Sequence, residues 1–262
     1  MNRGSPGAAG AIASPATVLI TGASGGLGSA LALEYAAPGR TLVLHGRDAG
    51  RLRALAESCE ARGAIAVTLA FDIADTGAVA QALARLVQET PVDLAIVNAG
   101  VASTRAGDDE PWADIARVLD VNVRGALATV HALVPHMLRR GHGQIGLVSS
   151  LAAYHGLPVS PAYCASKSAL KAYGEAMRGW LGPRGVAVSV ILPGFVRTAM
   201  QERFPAPRPF TLSAQDAARR IRRGLAGNRA RIAFPQPLAF ATWLLAVLPA
   251  AWSGRLARWA GY

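Results

Sequence analysis

Short apolar runs rich in β-branched residues alternate along this chain with longer Ala/Leu-rich stretches of helical period. That alternation predicts βαβ units around a parallel sheet. A strand buried on both faces reads as a continuous apolar run, whereas its crossover helix is apolar along one stripe. Strands are predicted over residues 17–21, 41–44, 65–71, 94–97, 144–149 and 186–192. Helices are predicted over 27–37, 48–62, 76–89 and 111–137, the last as one long helix despite Gly125 and Pro135. A final long helix follows Ser160-Pro161, which reads as an N-cap with proline at the first helical position, and stops at Gly182-Pro183. No internal repeat or long linker divides the chain. The expected fold is a single α/β domain with a doubly wound parallel sheet over 16–235. A Gly/Pro-rich lead-in at 1–15, expected to be disordered, precedes it, and an apolar segment at 236–262 follows.

Composition narrows this picture. Apolar residues make up 52 % of 262, enough for a large core. The two cysteines, Cys59 and Cys164, form neither a disulfide framework nor a four-ligand metal site, so no metal is expected and a cytoplasmic setting is. The net charge of +11 comes from scattered arginines, clustered locally around 47–53, 139–140 and 219–231. No nucleic-acid-binding motif accompanies them, so they read as a solvated basic surface and no nucleic acid is expected. Residues 237–252 are strongly apolar but too short, and too interrupted by Pro249, to span a bilayer. The favoured reading is that this segment covers the core or a subunit interface. The alternative is a peripheral membrane contact through Trp243, Trp252 and Trp259 with Arg255 and Arg258.

Candidate chemistry begins at Thr21-Gly22-Ala23-Ser24-Gly25-Gly26-Leu27-Gly28, between the first strand and the first helix. Glycines there let the chain turn tightly and let a pyrophosphate approach the main-chain N–H groups of a helix N-terminus, as in Rossmann-type dinucleotide sites. A phosphate loop of the Gly-Lys-Ser/Thr kind is absent. A nucleophile elbow at Ser24 would sit on the first strand and leave Gly28 without a purpose. At the end of the second strand, Gly46 stands where an acid would bond the ribose of NAD, and Arg47 offers a fixed cation for the 2′-phosphate of NADP; Asp48 is the competing feature. NADP(H) is favoured over NAD(H). Further on, Tyr163 and Lys167 lie one helical turn apart, where an ammonium would favour the phenolate. Lys167 and Lys171 are the chain's two lysines, against 25 arginines.

These motifs occur in the order in which the short-chain dehydrogenase/reductase family carries them, and the chain resembles that family in its compact form. The resemblance rests on the glycine loop, Asp72, Asn98-Ala99-Gly100, Asn122 within Asp120–Val123, Ser149-Ser150, Tyr163-x-x-x-Lys167 and Pro193–Thr198. It implies hydride transfer between NADP(H) and a carbonyl or alcohol, with Tyr163 as the general acid/base. Ser150 would polarise the substrate oxygen, Lys167 would hold the nicotinamide ribose and tune Tyr163, and Asn122 would anchor a relay water. Gly22, Ser24, Gly26, Leu27 and Gly28 would receive the pyrophosphate and Arg47 the 2′-phosphate. Asp72 and Ile73 would hold adenine, Asn98 and Gly100 would line the cleft, and Val196 and Thr198 would hold the carboxamide. Leu151, Tyr154, His155 and the loop 199–211, with Met200, Phe204 and Phe210, would face a substrate expected to be apolar. A homo-oligomer is implied. The alternatives are the same reaction on a lipid-like substrate at a membrane surface, or a non-catalytic dinucleotide-binding regulator. Two departures stand out. Val97 replaces a common asparagine, and Gly25 stands where NADP-preferring members often add a basic residue.

Overall fold

A computed structural model of the protein describes residue 10 and residues 12–104, 109–202 and 207–259. Most of the lead-in and Phe204 of the proline-rich loop lie outside the described residues. Seven parallel strands form the sheet: β1 (Thr17–Ile20), β2 (Thr41–Gly46), β3 (Ile65–Ala70), β4 (Leu94–Val97), β5 (Gly143–Val148), β6 (Val186–Pro193) and β7 (Arg231–Phe234). Their order is β3-β2-β1-β4-β5-β6-β7. In register, Ile20 lies beside Leu44 and Ile96, and Val148 beside Ile191, which aligns the C-terminal ends along one edge.

Alternate residues of the central strands feed two separate cores. Val18, Ile20, Leu42 and Leu44 pack under α1 (Gly26–Tyr35), α2 (Ala49–Glu60) and, later in the chain, α8 (Ala214–Ala226). Leu19, Val43, Ala95 and Val97 pack under α3 (Thr76–Glu89), α5 (Ala126–Arg140) and α6 (Pro161–Leu181). Burying side chains of this kind stabilises the fold by roughly 1.5–3 kcal/mol each, which is why the strand pattern is so legible. Asp48 and Asp75 cap α2 and α3 by accepting from Arg51 and Ala78 N–H at 3.0 and 2.9 Å. The remaining helices are α4 (Trp112–Leu119), α7 (Ala199–Glu202), α9 (Gln236–Val247) and α10 (Ala250–Trp259).

Two features differ from the sequence reading. The long helix expected over 111–137 is α4 and α5 joined by a π-helical turn at Asp120–Gly125. Wider rings of this kind recur where a helix must re-aim side chains, and Asn122 sits inside this one. Gly125 is there because a Cβ would lie 2.6 Å from the Ile73 carbonyl. The second difference is an unexpected pair, α8 and β7. The buried stripe of α8 is chiefly Ala217, Ala218, Ile221 and Leu225 among outward arginines, and β7 is four residues beginning at an exposed Arg231. Both signals are weak in sequence and become clear only against the sheet.

Candidate functional site

The helices after β1 and β4 leave for opposite faces of the sheet, which opens a crevice over their C-terminal ends. The glycine loop forms one wall. Gly22 adopts φ +65°, and a Cβ on Gly28 would fall 2.1 Å from the Gly22 carbonyl, so helix and turn touch backbone to backbone. Ser29 is the residue whose N–H first bonds back, to Gly25 at 2.8 Å, leaving the N–H groups of the first helical turn available. Thr198 packs over Gly26, 2.8 Å from where a Cβ would be, so the segment after β6 meets the loop. Val196 is held by a bridge to Leu212. Leu27 is partly buried against the core of α1 and α8.

Two supports of this loop were not anticipated. Thr21 Oγ1 accepts from the N–H groups of Asn98 and Ala99 at 2.9 and 3.0 Å, and Asn98 Nδ2 donates back to the Thr21 carbonyl at 3.0 Å. His45 is buried beneath the turn. Its Nδ1 accepts from Gly22 N–H at 3.4 Å and its Nε2 donates to the Phe71 carbonyl at 3.2 Å. Burial pushes its pKa down to about 4, outweighing the Phe71 carbonyl and Asp72, so the ring is a neutral brace. The available signal was a lone histidine ending an otherwise apolar strand.

At the adenosine end, Asp48 is committed to capping α2, while Arg47 is exposed. Gly46 has no room for a side chain, since a Cβ would lie 2.7 Å from Ser24 Oγ. Asp72 accepts from Ala74 N–H at 3.0 Å and from Arg117 at 2.8 Å. Burial alone would raise its carboxyl, but those bonds and the charges of Arg117 and Arg47 hold it below the usual range. Ile73 is buried against the helix containing Gly125.

The opposite end gathers the four proposed catalytic residues. The serine pair divides its labour: Ser149 is buried and its hydroxyl donates to the Lys167 carbonyl at 2.7 Å, whereas the Ser150 hydroxyl donates to the Pro193 carbonyl at 3.4 Å and lies close enough to the Tyr163 phenol to pull its pKa down. Ser150 also accepts from Ala152 N–H at 3.1 Å, which fixes its rotamer. Lys167 is 4 % exposed, with Nζ 3.0 Å from the Val148 carbonyl and 5.6 Å from the centroid of the Tyr163 ring. Its pKa falls to about 8 because burial disfavours the ammonium. Asn122 is fully buried. Its Oδ1 accepts from Val101 N–H at 2.8 Å, and its Nδ2 donates to the Val101 carbonyl and to Ser166 Oγ at 2.9 and 3.0 Å. Gly100 leaves the floor open, because a Cβ there would stand 3.4 Å from Lys167 Nζ and 3.2 Å from Asn122 Oδ1. A cradle of this shape, with bare backbone before an ammonium, fits a nicotinamide dinucleotide.

Three expectations need correction. The Tyr163 pKa is not lowered: burial pushes it up to about 12, the Ser150 hydroxyl pulls against that rise, and the nearby Cys164 adds to it. Lys167 is itself buried with Nζ on the Val148 carbonyl, and that burial lowers its own pKa. Ser160 holds the N-cap position of α6 with Pro161 opening the helix, as read from the sequence, but its side chain does not cap: its hydroxyl donates to the Ser103 carbonyl, and Glu110 takes the first-turn N–H of Ala162 at 3.2 Å instead. Leu151 does not face the crevice, being buried with Val190, Leu192 and Ala239. Tyr154 packs on that same cluster and lies under Lys171, while Met200 and Phe210 are exposed. His155 is partly exposed.

Comparison with known proteins agrees with this geometry. Residues 16–208 match the family model for short chain dehydrogenase. An uncharacterized oxidoreductase of Myxococcus xanthus is 36 % identical over 234 residues, covering 89 % of this chain and 92 % of its own. Dehydrogenase/reductase SDR family member 7B of Bos taurus is 38 % identical over 191 residues, 70 % of this chain but 58 % of that longer protein. Among solved structures, a short-chain dehydrogenase from Sphingobium yanoikuyae in complex with NADPH superposes with a TM-score of 0.80 at 25 % identity, covering 92 % of this chain and 95 % of the other. The chain therefore belongs to the short-chain dehydrogenase/reductase family, the NAD(P)-dependent oxidoreductases that interconvert CH–OH and C=O.

Proposed function

We propose that this protein is an NADP(H)-dependent carbonyl reductase, or alcohol dehydrogenase in reverse, with Tyr163 as its proton donor. The observation that carries the reading is the Tyr163 phenol placed beside the Ser150 hydroxyl, with the buried Lys167 amine 5.6 Å from its ring, opposite the glycine loop. When bound, the dinucleotide supplies the hydride. The chain's own residues do the rest. As negative charge develops on the substrate oxygen, the Ser150 hydroxyl and the Tyr163 phenol meet it with hydrogen bonds, and the phenol then gives up its proton. A phenol held near 12 keeps that proton at neutral pH, which suits donation to an alkoxide, a far stronger base. Val148 is the one hydrogen-bond partner of Lys167 Nζ among the described residues, which leaves donors for a ribose. Asn122 would serve a relay water through its main-chain carbonyl, because its side-chain amide is committed to Val101 and Ser166.

NADP(H) is favoured because Arg47 is free of the capping duty that occupies Asp48, and because Gly46 cannot carry an acid without displacing Ser24. The NADPH complex of the Sphingobium relative is consistent with this preference. The test is dinucleotide oxidation followed against a panel of aldehydes, cyclic ketones and long-chain ketones, with NADPH and NADH in parallel. Activity that survives Tyr163→Phe at near wild-type level would remove the proton-donor assignment, and equal use of NADH would remove the cofactor preference.

A further inference from the structure

The outer face of α9 has the wrong composition for water. Its packed stripe is Leu238, Ala239, Thr242 and Leu245, and its exposed residues include Phe240, Ala241, Trp243, Leu244, Ala246 and Val247. Phe240 is 63 % exposed. A surface helix is expected to be polar on the side away from the core. The solvated helix α8 obeys that rule with Arg219, Arg220, Arg222 and Arg223 outward. The next helix continues the anomaly: Trp252, Arg255, Leu256 and Trp259 form one exposed stripe on α10, with Trp252 at 64 % and Trp259 at 88 %. Residues 236–262 contain no Asp or Glu, and their charges are Arg255 and Arg258.

Charge distinguishes the two occupants such a face could take. A two-fold contact would set this cationic, tryptophan-bearing face against an identical one, and residues 236–262 hold no carboxylate side chain to answer Arg255 and Arg258. A bilayer surface accepts both residue types side by side. Indole rings settle in the headgroup layer, while a guanidinium reaches the phosphates. The stem of arginine can lie along apolar surface with its head in water. An acid-free segment on a chain of net charge +11 is also drawn to an anionic leaflet. No helix of the described residues is long and apolar enough to cross a membrane, so the contact would be peripheral.

We propose that α9 and α10 dock the protein on an anionic phospholipid surface, with Phe240, Trp243, Leu244, Trp252 and Trp259 entering the headgroup layer and Arg255 meeting lipid phosphate. The docked face adjoins the reaction side of the fold, because α9 packs through Leu238 and Ala239 on the segment after Ser150, at Leu151 and Tyr154. The proposal concerns the surface alone and stands or falls independently of the reaction.

The test is co-sedimentation of the full chain with vesicles of equal parts phosphatidylglycerol and phosphatidylcholine, against vesicles of phosphatidylcholine alone. Elution volume is measured in parallel without lipid. The expected result is binding to the anionic vesicles that weakens with salt, with a blue shift of tryptophan emission in the unmodified protein. The double substitution Trp243→Ser, Trp252→Ser should lower vesicle affinity by about tenfold or more. Both positions are exposed, so an unchanged circular dichroism spectrum is expected and separates lost docking from lost folding. Absence of sedimentation with the anionic vesicles overturns the proposal. So does equal binding to phosphatidylcholine, or a dimer that the same substitutions split while vesicles remain unbound.

Discussion

Replacing Lys167 with methionine should make the protein inactive and more stable at neutral pH, with the gain vanishing in alkali. The folded ammonium loses its proton near pH 8, displaced by burial from an ordinary 10.5. Folding therefore disfavours the charged form. The penalty is complete below pH 8 and fades as pH climbs from 8 towards 10.5, where the unfolded lysine also becomes neutral. At about 1.4 kcal/mol per unit, that displacement is worth about 3 kcal/mol at pH 7 and less than about 1 kcal/mol at pH 10. Methionine has similar length and no charge to desolvate. It also gives up the bond to the Val148 carbonyl, worth about 1 kcal/mol. The net is a stabilisation of about 2 kcal/mol at pH 7, or a Tm rise of roughly 4–8 °C for a chain of this size. At pH 10 the two terms nearly cancel. The assay is thermal unfolding of the dinucleotide-free protein and its Lys167→Met variant at both pH values; other titrating groups occur in both and drop out of the difference. A variant that melts below the wild type at pH 7, or that differs from it by the same margin at both pH values, would refute the idea that Lys167 is a buried ammonium held at the expense of stability.

Five other substitutions have expected outcomes. Tyr163→Phe should lower kcat by about 10²–10⁴-fold while the dissociation constant for NADPH, read by fluorescence titration, changes little. Ser150→Ala should lower kcat about 10²-fold or more through loss of one donor to the developing oxyanion, and Ser149→Ala should instead lower Tm, since its hydroxyl is spent on the Lys167 carbonyl. Gly28→Ala, whose Cβ would stand 2.1 Å from the Gly22 carbonyl, should destabilise by about 1–3 kcal/mol in denaturant titration and raise KM for the dinucleotide. Arg47→Gln should raise KM for NADPH about tenfold and leave KM for NADH unchanged, in proportion to one lost charge-assisted phosphate contact.

Much of the fold was legible because the sheet is buried on both faces. Strands such as 94–97 and helices such as 76–89 appear in the structure with the bounds their patterns predict, since apolar runs of that kind have nowhere else to go. The chemical residues were legible for a related reason: a glycine loop, a Tyr-x-x-x-Lys turn and a serine pair are constrained by backbone approach and helical spacing, which are local. What the sequence could not decide was everything set by distant partners. The resemblance picked Ser150 over the adjacent and chemically alike Ser149, but the physical reason lies in α6, which sets the Lys167 carbonyl against the Ser149 hydroxyl and brings the Tyr163 phenol beside Ser150. The direction of the Tyr163 pKa was likewise a matter of burial, which spacing along a helix does not reveal. Glu110 caps α6 from a loop 52 residues away, and His45 braces a turn 23 residues earlier. The apolar C-terminal segment carried its composition openly, yet which of its residues face outward was settled only by docking α9 on Leu151 and Leu192, because a helix that is apolar all round does not announce its buried side.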